Sequence, residues 1–211
     1  MKGKRMKSVF YVVIHFLLAL PAKLIFLLRV KGRKNEPKRE EGPYLVCANH
    51  QSVLDPVFIA IAMRRQQPHF MAKAELFRVP VLGWLVRRLG AYPVSRGKSD
   101  VGAVKHAIHL LESGRSVGLF PQGTRCQGKE PRDCKVKNGA GLIASHAKVQ
   151  VLPVHIKMKH YKWRFFRPVK LIVGEPIPFE RFNYQEGVPG EYARITEMIY
   201  SEICRLGEEE K

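Results

Sequence analysis

The stretch YLVCANHQSVLDPVFIAIA, residues 44–62, determines how this chain is expected to fold. It opens with the pattern of a buried strand and continues as an apolar helix, with Asp55 as its expected cap and Pro56 in its first turn. His50 lies between strand and helix, five residues before Asp55. This spacing fits a helix start whose histidine only satisfies a loop carbonyl group. It also fits a general base that a carboxylate orients.

Strand-like and helix-like segments alternate along the rest of the chain. Strands are predicted at HFMA, AYPV, SVGLF, VQVLPVHI and VKLIVG, and helices at VLGWLVRRL, SDVGAVKHAIHLLESG, GAGLIASHA and GEYARITEMIYSEICRL. The alternation predicts an α/β fold with a largely parallel mixed sheet covered by helices. Sites in such sheets form at the carboxyl ends of the strands, where His50, Arg96 and the turn after Phe120 are expected.

The first 42 residues differ in character from the rest. Residues 8–22 read SVFYVVIHFLLALPA without a formal charge, and basic residues flank the apolar segment on both sides. Because lysine and arginine favour the cytoplasmic side, two basic flanks favour a bent helix or helical hairpin in one leaflet. Pro21 is expected to break or bend this segment. A single span, a cleaved signal peptide and a core helix are the alternatives.

These patterns predict two parts of the chain. Residues 1–42 are expected to form a membrane-anchoring helical segment with a charged connector, and residues 43–211 the α/β domain. The anchor would hold the protein on the cytoplasmic face of the cell membrane.

The net charge of +19 indicates a polyanionic partner, which is nucleic acid, an anionic membrane or a phosphorylated substrate. The segment KMKHYKWRFFRPVK, residues 157–170, alternates basic and aromatic residues. Such alternation suits stacking on nucleic acid, a membrane interface or a half-buried strand. With an apolar N-terminus in the same chain, we expect anionic lipid as the partner and no nucleic acid. The four cysteines form no CxxC pair, so we expect reduced intracellular thiols and no metal site.

Four sequence blocks, taken in order, resemble the 1-acylglycerol-3-phosphate acyltransferase family in its bacterial form. The blocks are N-H-x4-D at residues 49–55, a glycine–aromatic–apolar stretch ending in arginine at 90–96, FPQGTR at 120–125, and an apolar pair before proline–valine at 151–154. The family usually has glutamate where this chain has Gln122. The resemblance covers about residues 44–177.

The resemblance implies a glycerolphosphate acyltransferase-like fold and a defined reaction. A fatty acyl group would pass from an acyl thioester, acyl-CoA or acyl carrier protein, to the sn-2 hydroxyl group of lysophosphatidic acid, giving phosphatidic acid. His50 would remove the hydroxyl proton and Asp55 would orient the histidine, without a cofactor or a covalent acyl-enzyme. Acylation of glycerol-3-phosphate or another lysolipid is the nearest alternative. Basic proteins that bind a membrane surface or nucleic acid without catalysis are alternatives from another class.

The same resemblance implies roles for six further residues. Three cations would hold the substrate phosphate, since arginine offers a planar fork that matches its oxygens: Lys73, Arg96 and Arg125. Gly123 and Thr124 would form a tight turn that a ligand can approach closely. Gln122 lacks the family's negative charge but keeps a carbonyl acceptor for a substrate hydroxyl group.

Overall fold

The structure is a computed structural model that describes residue 17, residues 19–94 and residues 101–209. Its strands are β1 (Arg29–Lys31), β2 (Tyr44–Ala48), β3 (His69–Lys73), β4 (Tyr92–Val94), β5 (Val117–Leu119), β6 (Gln150–Met158) and β7 (Val169–Val173). Its helices are α1 (residues 19–25), α2 (Asp55–Ala62), α3 (Leu82–Arg88), α4 (Val101–Glu112), α5 (Gly139–Ala147) and α6 (Glu191–Glu209). The predicted strands and helices after residue 43 are therefore confirmed in type and order.

The strands form one sheet in the order β1-β7-β6-β2-β5-β3-β4. Neighbouring strands run parallel throughout, except that β7 runs antiparallel to β6. The prediction of an α/β fold with a largely parallel mixed sheet covered by helices is confirmed. The carboxyl ends of β2, β3, β5 and β6 consequently meet at one edge of the sheet.

Both faces of the sheet are buried, which explains why β2 is apolar at every position. Successive side chains of a strand point to opposite faces. Leu45 and Cys47 accordingly join one core cluster with residues of α4, α5 and α6, whereas Tyr44 and Val46 join the other with residues of α1 and α2. Strand β2 thus forms the centre of both cores and fixes the position of the turn that follows it.

The sheet begins earlier in the chain than the predicted start at residue 43. Strand β1 pairs with β7, and Glu36, within the supposed connector, is buried. The Glu36 carboxylate accepts hydrogen bonds from the backbone N–H groups of Arg64 and Arg65, at 2.7 and 2.8 Å, and from the hydroxyl group of Tyr44. Charge pattern alone does not predict this, because the partners of Glu36 are mainly backbone groups far along the chain.

Only part of the predicted membrane anchor lies within the described residues, since residues 1–16 and residue 18 fall outside them. Helix α1 continues through Pro21 to residue 25, so Pro21 does not break the helix within the described residues, and the alternative that it bends the segment stays a prediction. Leu20 and Leu24 are each 63% exposed, while Ala22 packs into the core. Among the described residues, no helix combines the length and the apolar character that crossing a membrane requires. The anchoring role stays a prediction.

Candidate active site

His50 and Asp55 lie together in the turn between β2 and α2. His50 Nδ1 is 2.8 Å from Asp55 Oδ2, and the same oxygen accepts the backbone N–H groups of Gln51 and Ser52 at 2.6 and 2.7 Å. Asp55 is fully buried and His50 is 7% exposed. Because a carboxylate oxygen only accepts hydrogen bonds, the proton of the neutral imidazole resides on Nδ1. Nε2 therefore keeps its lone pair, as a general base requires.

The Asp55 carboxylate does not cap helix α2, contrary to the sequence prediction. The helix begins at Asp55 itself, Leu54 is its N-cap residue, and no side chain there bonds to the free N–H groups of the first turn. The carboxylate instead reaches back to the turn that precedes the helix. Its bonds therefore fix the conformation of residues 50–52 and the orientation of the imidazole ring at once.

The backbone on both sides of the His50 ring is also fixed. The Asn49 amide donates to the carbonyl oxygen of Ile156 at 3.0 Å and accepts from the N–H of the same residue at 2.7 Å. The N–H of Cys126 donates to the His50 carbonyl oxygen at 2.8 Å. The turn that carries His50 is thus attached to β6 and to the loop after the FPQGTR block.

Three rings stack on one another: His50 follows β2, Phe120 follows β5, and Phe70 is the second residue of β3. The His50 ring lies on Phe120 with centroids 4.1 Å apart, and Phe120 lies on Phe70 at 5.7 Å. Phe120 limits the motion of the imidazole on one side and shields it from water. From the sequence, Phe120 is recognisable only as a block residue, because a spacing of 70 positions between His50 and Phe120 gives no sign that the two rings will meet.

The side chain of Gln122 is buried against His50. Its carbonyl oxygen Oε1 accepts a hydrogen bond from the backbone N–H of His50. Burial raises the pKa of the neighbouring Tyr200, and the Gln122 amide opposes this rise. The predicted hydrogen bond that a substrate hydroxyl group donates to Gln122 stays a prediction, and Oε1 already accepts one from the His50 backbone.

The next residues, Gly123, Thr124 and Arg125, form an exposed turn. Gly123 has a φ of 68° and donates its N–H to the Phe120 carbonyl oxygen at 2.9 Å, so the turn needs a residue that tolerates positive φ. The aliphatic part of Lys137 lies over it, with Cδ 3.0 Å from where a Cβ of residue 123 would be. Lys137 is thus a cation beside the predicted phosphate-binding turn that sequence analysis did not identify.

The other two predicted phosphate ligands are Lys73 and Arg96. Lys73 ends β3 at the same edge of the sheet, is exposed, and pairs with Glu75 at 3.1 Å. Such an exposed ion pair contributes little, and a ligand can displace it. Arg96 lies outside the described residues. The structure therefore brings His50, Asp55 and Gln122 together and positions Lys73 and the 123–125 turn at one edge.

Two of the four cysteines are joined, which corrects the prediction of four reduced thiols. Cys126 and Cys134 form a disulfide with Cα atoms 6.4 Å apart. A turn at Gly128 and a 3₁₀ helix at Pro131–Asp133 reverse the intervening loop and bring the two residues together. Sequence spacing did not reveal this reversal.

The free thiols are unsuited to covalent catalysis. Cys47 and Cys204 are buried, and burial raises the pKa of Cys47 strongly and that of Cys204 to about 11. A thiol with a raised pKa forms little thiolate, the nucleophilic form. In the described part of the chain, no three residues of the types His, Cys, Asp and Glu are grouped to hold a metal ion.

Comparisons with known proteins agree with this geometry. The sequence profile of the family described as Acyltransferase matches residues 28–157. The 1-acyl-sn-glycerol-3-phosphate acyltransferase of Streptococcus pneumoniae is 40% identical over 180 residues, covering 83% of this chain and 64% of that protein. The enzyme of the same name from Bacillus subtilis is 31% identical over 190 residues, covering 87% of this chain and 92% of the relative.

A solved structure has the same fold. The crystal structure of the 1-acyl-sn-glycerophosphate (LPA) acyltransferase PlsC from Thermotoga maritima superposes with a TM-score of 0.64, at 23% identity, covering 97% of each chain. The strand order, the motif geometry and the family profile lead to one conclusion: the chain belongs to the acyltransferase family.

Proposed function

We propose that this protein transfers a fatty acyl group from an acyl thioester to the sn-2 hydroxyl group of lysophosphatidic acid, forming phosphatidic acid. The names of the Streptococcus and Bacillus relatives support this acceptor. The observation that carries the proposal is the 2.8 Å contact between His50 Nδ1 and Asp55 Oδ2, which leaves Nε2 free to accept a proton.

His50 Nε2 takes the proton of the acceptor hydroxyl group while its oxygen attacks the thioester carbonyl carbon. The new C–O bond forms, the C–S bond breaks, and the imidazolium returns its proton to the departing thiolate. Asp55 stabilises the imidazolium by keeping its bond to Nδ1. Phe120 and the attachment of Asn49 to β6 hold the ring still during both proton transfers. Prior positioning of this kind lowers the entropic cost of the reaction.

The acceptor's phosphate is proposed to bind at Arg125, Lys73 and Arg96. Arg125 is exposed and makes no ion pair with any described residue, so its planar fork is available for two phosphate oxygens. Lys137, beside Gly123, adds positive charge to the same turn. Arg125 lies three residues after Gln122, which contacts His50, so a phosphate bound at Arg125 would hold the glycerol hydroxyl group near the base.

The site of action is proposed to be the cytoplasmic face of a membrane. The exposed leucines of α1 and the basic residues on both sides of the apolar N-terminal segment support it. Membrane attachment would also bring the enzyme to its lipid acceptor.

A direct assay tests the function. Detergent-solubilised protein is offered lysophosphatidic acid, glycerol-3-phosphate and neutral lysolipids, each with acyl-CoA and with acyl-acyl carrier protein, and the products are identified by mass spectrometry. We expect phosphatidic acid as the main product. His50→Ala serves as the control for contaminating activity. Turnover of glycerol-3-phosphate in preference to lysophosphatidic acid would assign the enzyme to the alternative acceptor.

A further inference from the structure

The segment after β6 lies at the same edge of the sheet as His50. In the parallel pairing of β2 with β6, Ala48 lies opposite Val154, so β6 continues four residues beyond the end of β2, to Met158. The next residues, 159–167, therefore lie beyond the edge of the sheet at which His50 is located. The Gly128 N–H donates to the Tyr161 carbonyl oxygen at 3.0 Å, which attaches this segment to the loop that follows Arg125.

This segment borders an open cleft with a volume of about 290 Å³, and the five residues that line the cleft are all basic. They are Lys159, His160, Lys162, Arg164 and Arg167. None of the five pairs with a carboxylate in the part of the chain that the structure describes. Like charges that converge without a counterion repel one another, and a bound anion relieves this repulsion. Arginine and lysine together are the residues that hold phosphate oxygens.

An exposed apolar surface lies directly beside the cleft. Phe165 and Phe166, within the same segment, are 61% and 74% exposed. The Phe166 N–H donates to the Ile25 carbonyl oxygen at 2.7 Å, and Phe26 stacks on Phe165 with centroids 6.0 Å apart. These contacts join the segment to α1, whose Leu20 and Leu24 are also exposed. A soluble anion would gain nothing from these apolar neighbours, whereas a lipid bilayer covers them.

We propose that the cleft binds the phosphate group of an anionic phospholipid in the bilayer, at a site separate from the catalytic one. The apolar surface enters the acyl region, and the basic cleft then lies at the depth of the headgroups. None of the five cleft residues belongs to the acyltransferase blocks. The bound lipid serves as an attachment point that holds the catalytic edge against the membrane, and it is not consumed.

Vesicle binding by the full-length protein tests this site without turnover, so the result does not depend on the proposed function. Vesicles of phosphatidylcholine are compared with vesicles of phosphatidylcholine and phosphatidylglycerol. Phosphatidylglycerol is chosen because it is neither the proposed acceptor nor the proposed product. The test variant is Arg164→Gln with Arg167→Gln. The control is Lys148→Gln with Arg181→Gln, which removes the same charge from exposed residues near the opposite edge of the sheet.

The cleft variant is expected to bind anionic vesicles about 10- to 30-fold more weakly, with binding to neutral vesicles unchanged. The control variant is expected to retain native affinity, and circular dichroism checks that both fold. If the cleft variant is misfolded, Lys159→Gln with Lys162→Gln replaces it in the same measurement. Equal losses in the cleft and control variants would reduce the effect to net charge and overturn the proposal.

Two further binding measurements distinguish the lipid from other anions. Inorganic phosphate and a single-stranded oligonucleotide are titrated into the native protein and into the cleft variant. We expect weak phosphate binding and no preference for the oligonucleotide over anionic vesicles. Tighter binding of either ligand than of vesicles, lost in the cleft variant, would assign the cleft to that ligand and overturn the lipid site.

Discussion

The backbone N–H of His50 donates to the side-chain carbonyl oxygen of Gln122, so two blocks 72 residues apart meet at the proposed general base. The bond fixes the chain where β2 turns towards α2. A carboxylate oxygen would accept the same N–H equally well, which explains how glutamine can stand where the family usually has glutamate. The contact assigns Gln122 a positioning role.

Substitution of Gln122 separates positioning from substrate contact. Gln122→Glu is expected to retain activity within a few fold, because the acceptor for His50 N–H remains. Gln122→Ala leaves this buried N–H unpaired and should cost about 1–3 kcal/mol of unfolding free energy, with a lower kcat. Thermal unfolding and steady-state kinetics measure both effects. A rise in the acceptor's KM alone, at native stability, would instead indicate a contact with the substrate.

His50→Ala is expected to reduce acyl transfer by about 10²–10⁴-fold while the protein stays folded, because the general base is lost. Asp55→Asn should reduce activity and stability together, since Asp55 Oδ2 accepts hydrogen bonds from His50, Gln51 and Ser52. Turnover numbers and unfolding curves of the two variants check this difference. A folded His50→Ala protein with near-native turnover would exclude the mechanism.

Arg125→Ala is expected to raise the acceptor's KM about 10- to 100-fold, the scale of lost hydrogen bonds to a charged group, and to change the donor's KM little. Arg125→Lys should recover only part of the loss, because an ammonium group cannot bind two oxygens in one plane. Arg181→Ala, an exposed arginine after β7, is the matched control. Equal effects on both substrates would place Arg125 at the donor or in folding.

Stability is expected to depend on pH through His155. Burial lowers the pKa of this histidine below its ordinary 6.5, the Ile203 carbonyl oxygen and Glu208 oppose the shift, and Lys157 adds to it. As the pH falls below 6.5, the unfolded chain binds a proton that the folded protein excludes, so the free energy of unfolding decreases. Above 6.5 this contribution is constant.

His155→Asn should weaken the acid-side loss of stability, because asparagine keeps a donor for the Ile203 carbonyl oxygen but does not titrate. His109→Asn, at an exposed position on α4, is the control. Denaturant unfolding between about pH 5 and pH 8 measures the difference. An unchanged pH profile in His155→Asn would assign the dependence to other groups, of which the half-buried His69, whose pKa burial also lowers, is the first to test.

The disulfide between Cys126 and Cys134 can be tested by counting free thiols. The structure has this pair as a disulfide and leaves Cys47 and Cys204 as free thiols. When the purified protein is denatured and treated with an alkylating mass tag, we expect two modified cysteines per chain, Cys47 and Cys204, and four after prior reduction. Four modified cysteines without prior reduction would contradict the disulfide.

The order of strands and helices after residue 43 was predictable from the sequence, because hydrophobic periodicity and the glycine or proline residues that end an element are local signals. The sequence also predicted that His50 and Asp55 would meet because their five-residue spacing fits within the turn between a strand and a helix. The Glu36 bonds, the ring stack on Phe120 and the Cys126–Cys134 disulfide were missed. Each depends on chain segments that only the tertiary fold brings together, and no local pattern encodes such a meeting.

The Asn49 side chain continues the hydrogen bonding between β2 and β6 after β2 has ended. Its primary amide carries the same donor and acceptor as a peptide unit, and it offers both to Ile156. The side chain thereby imitates one more residue of β2 and extends the ladder after the main chain has departed. The backbone is free to swing His50 out of the sheet plane while β6 loses no partner. A buried sheet can therefore open a reactive turn at its edge without leaving unpaired peptide groups behind.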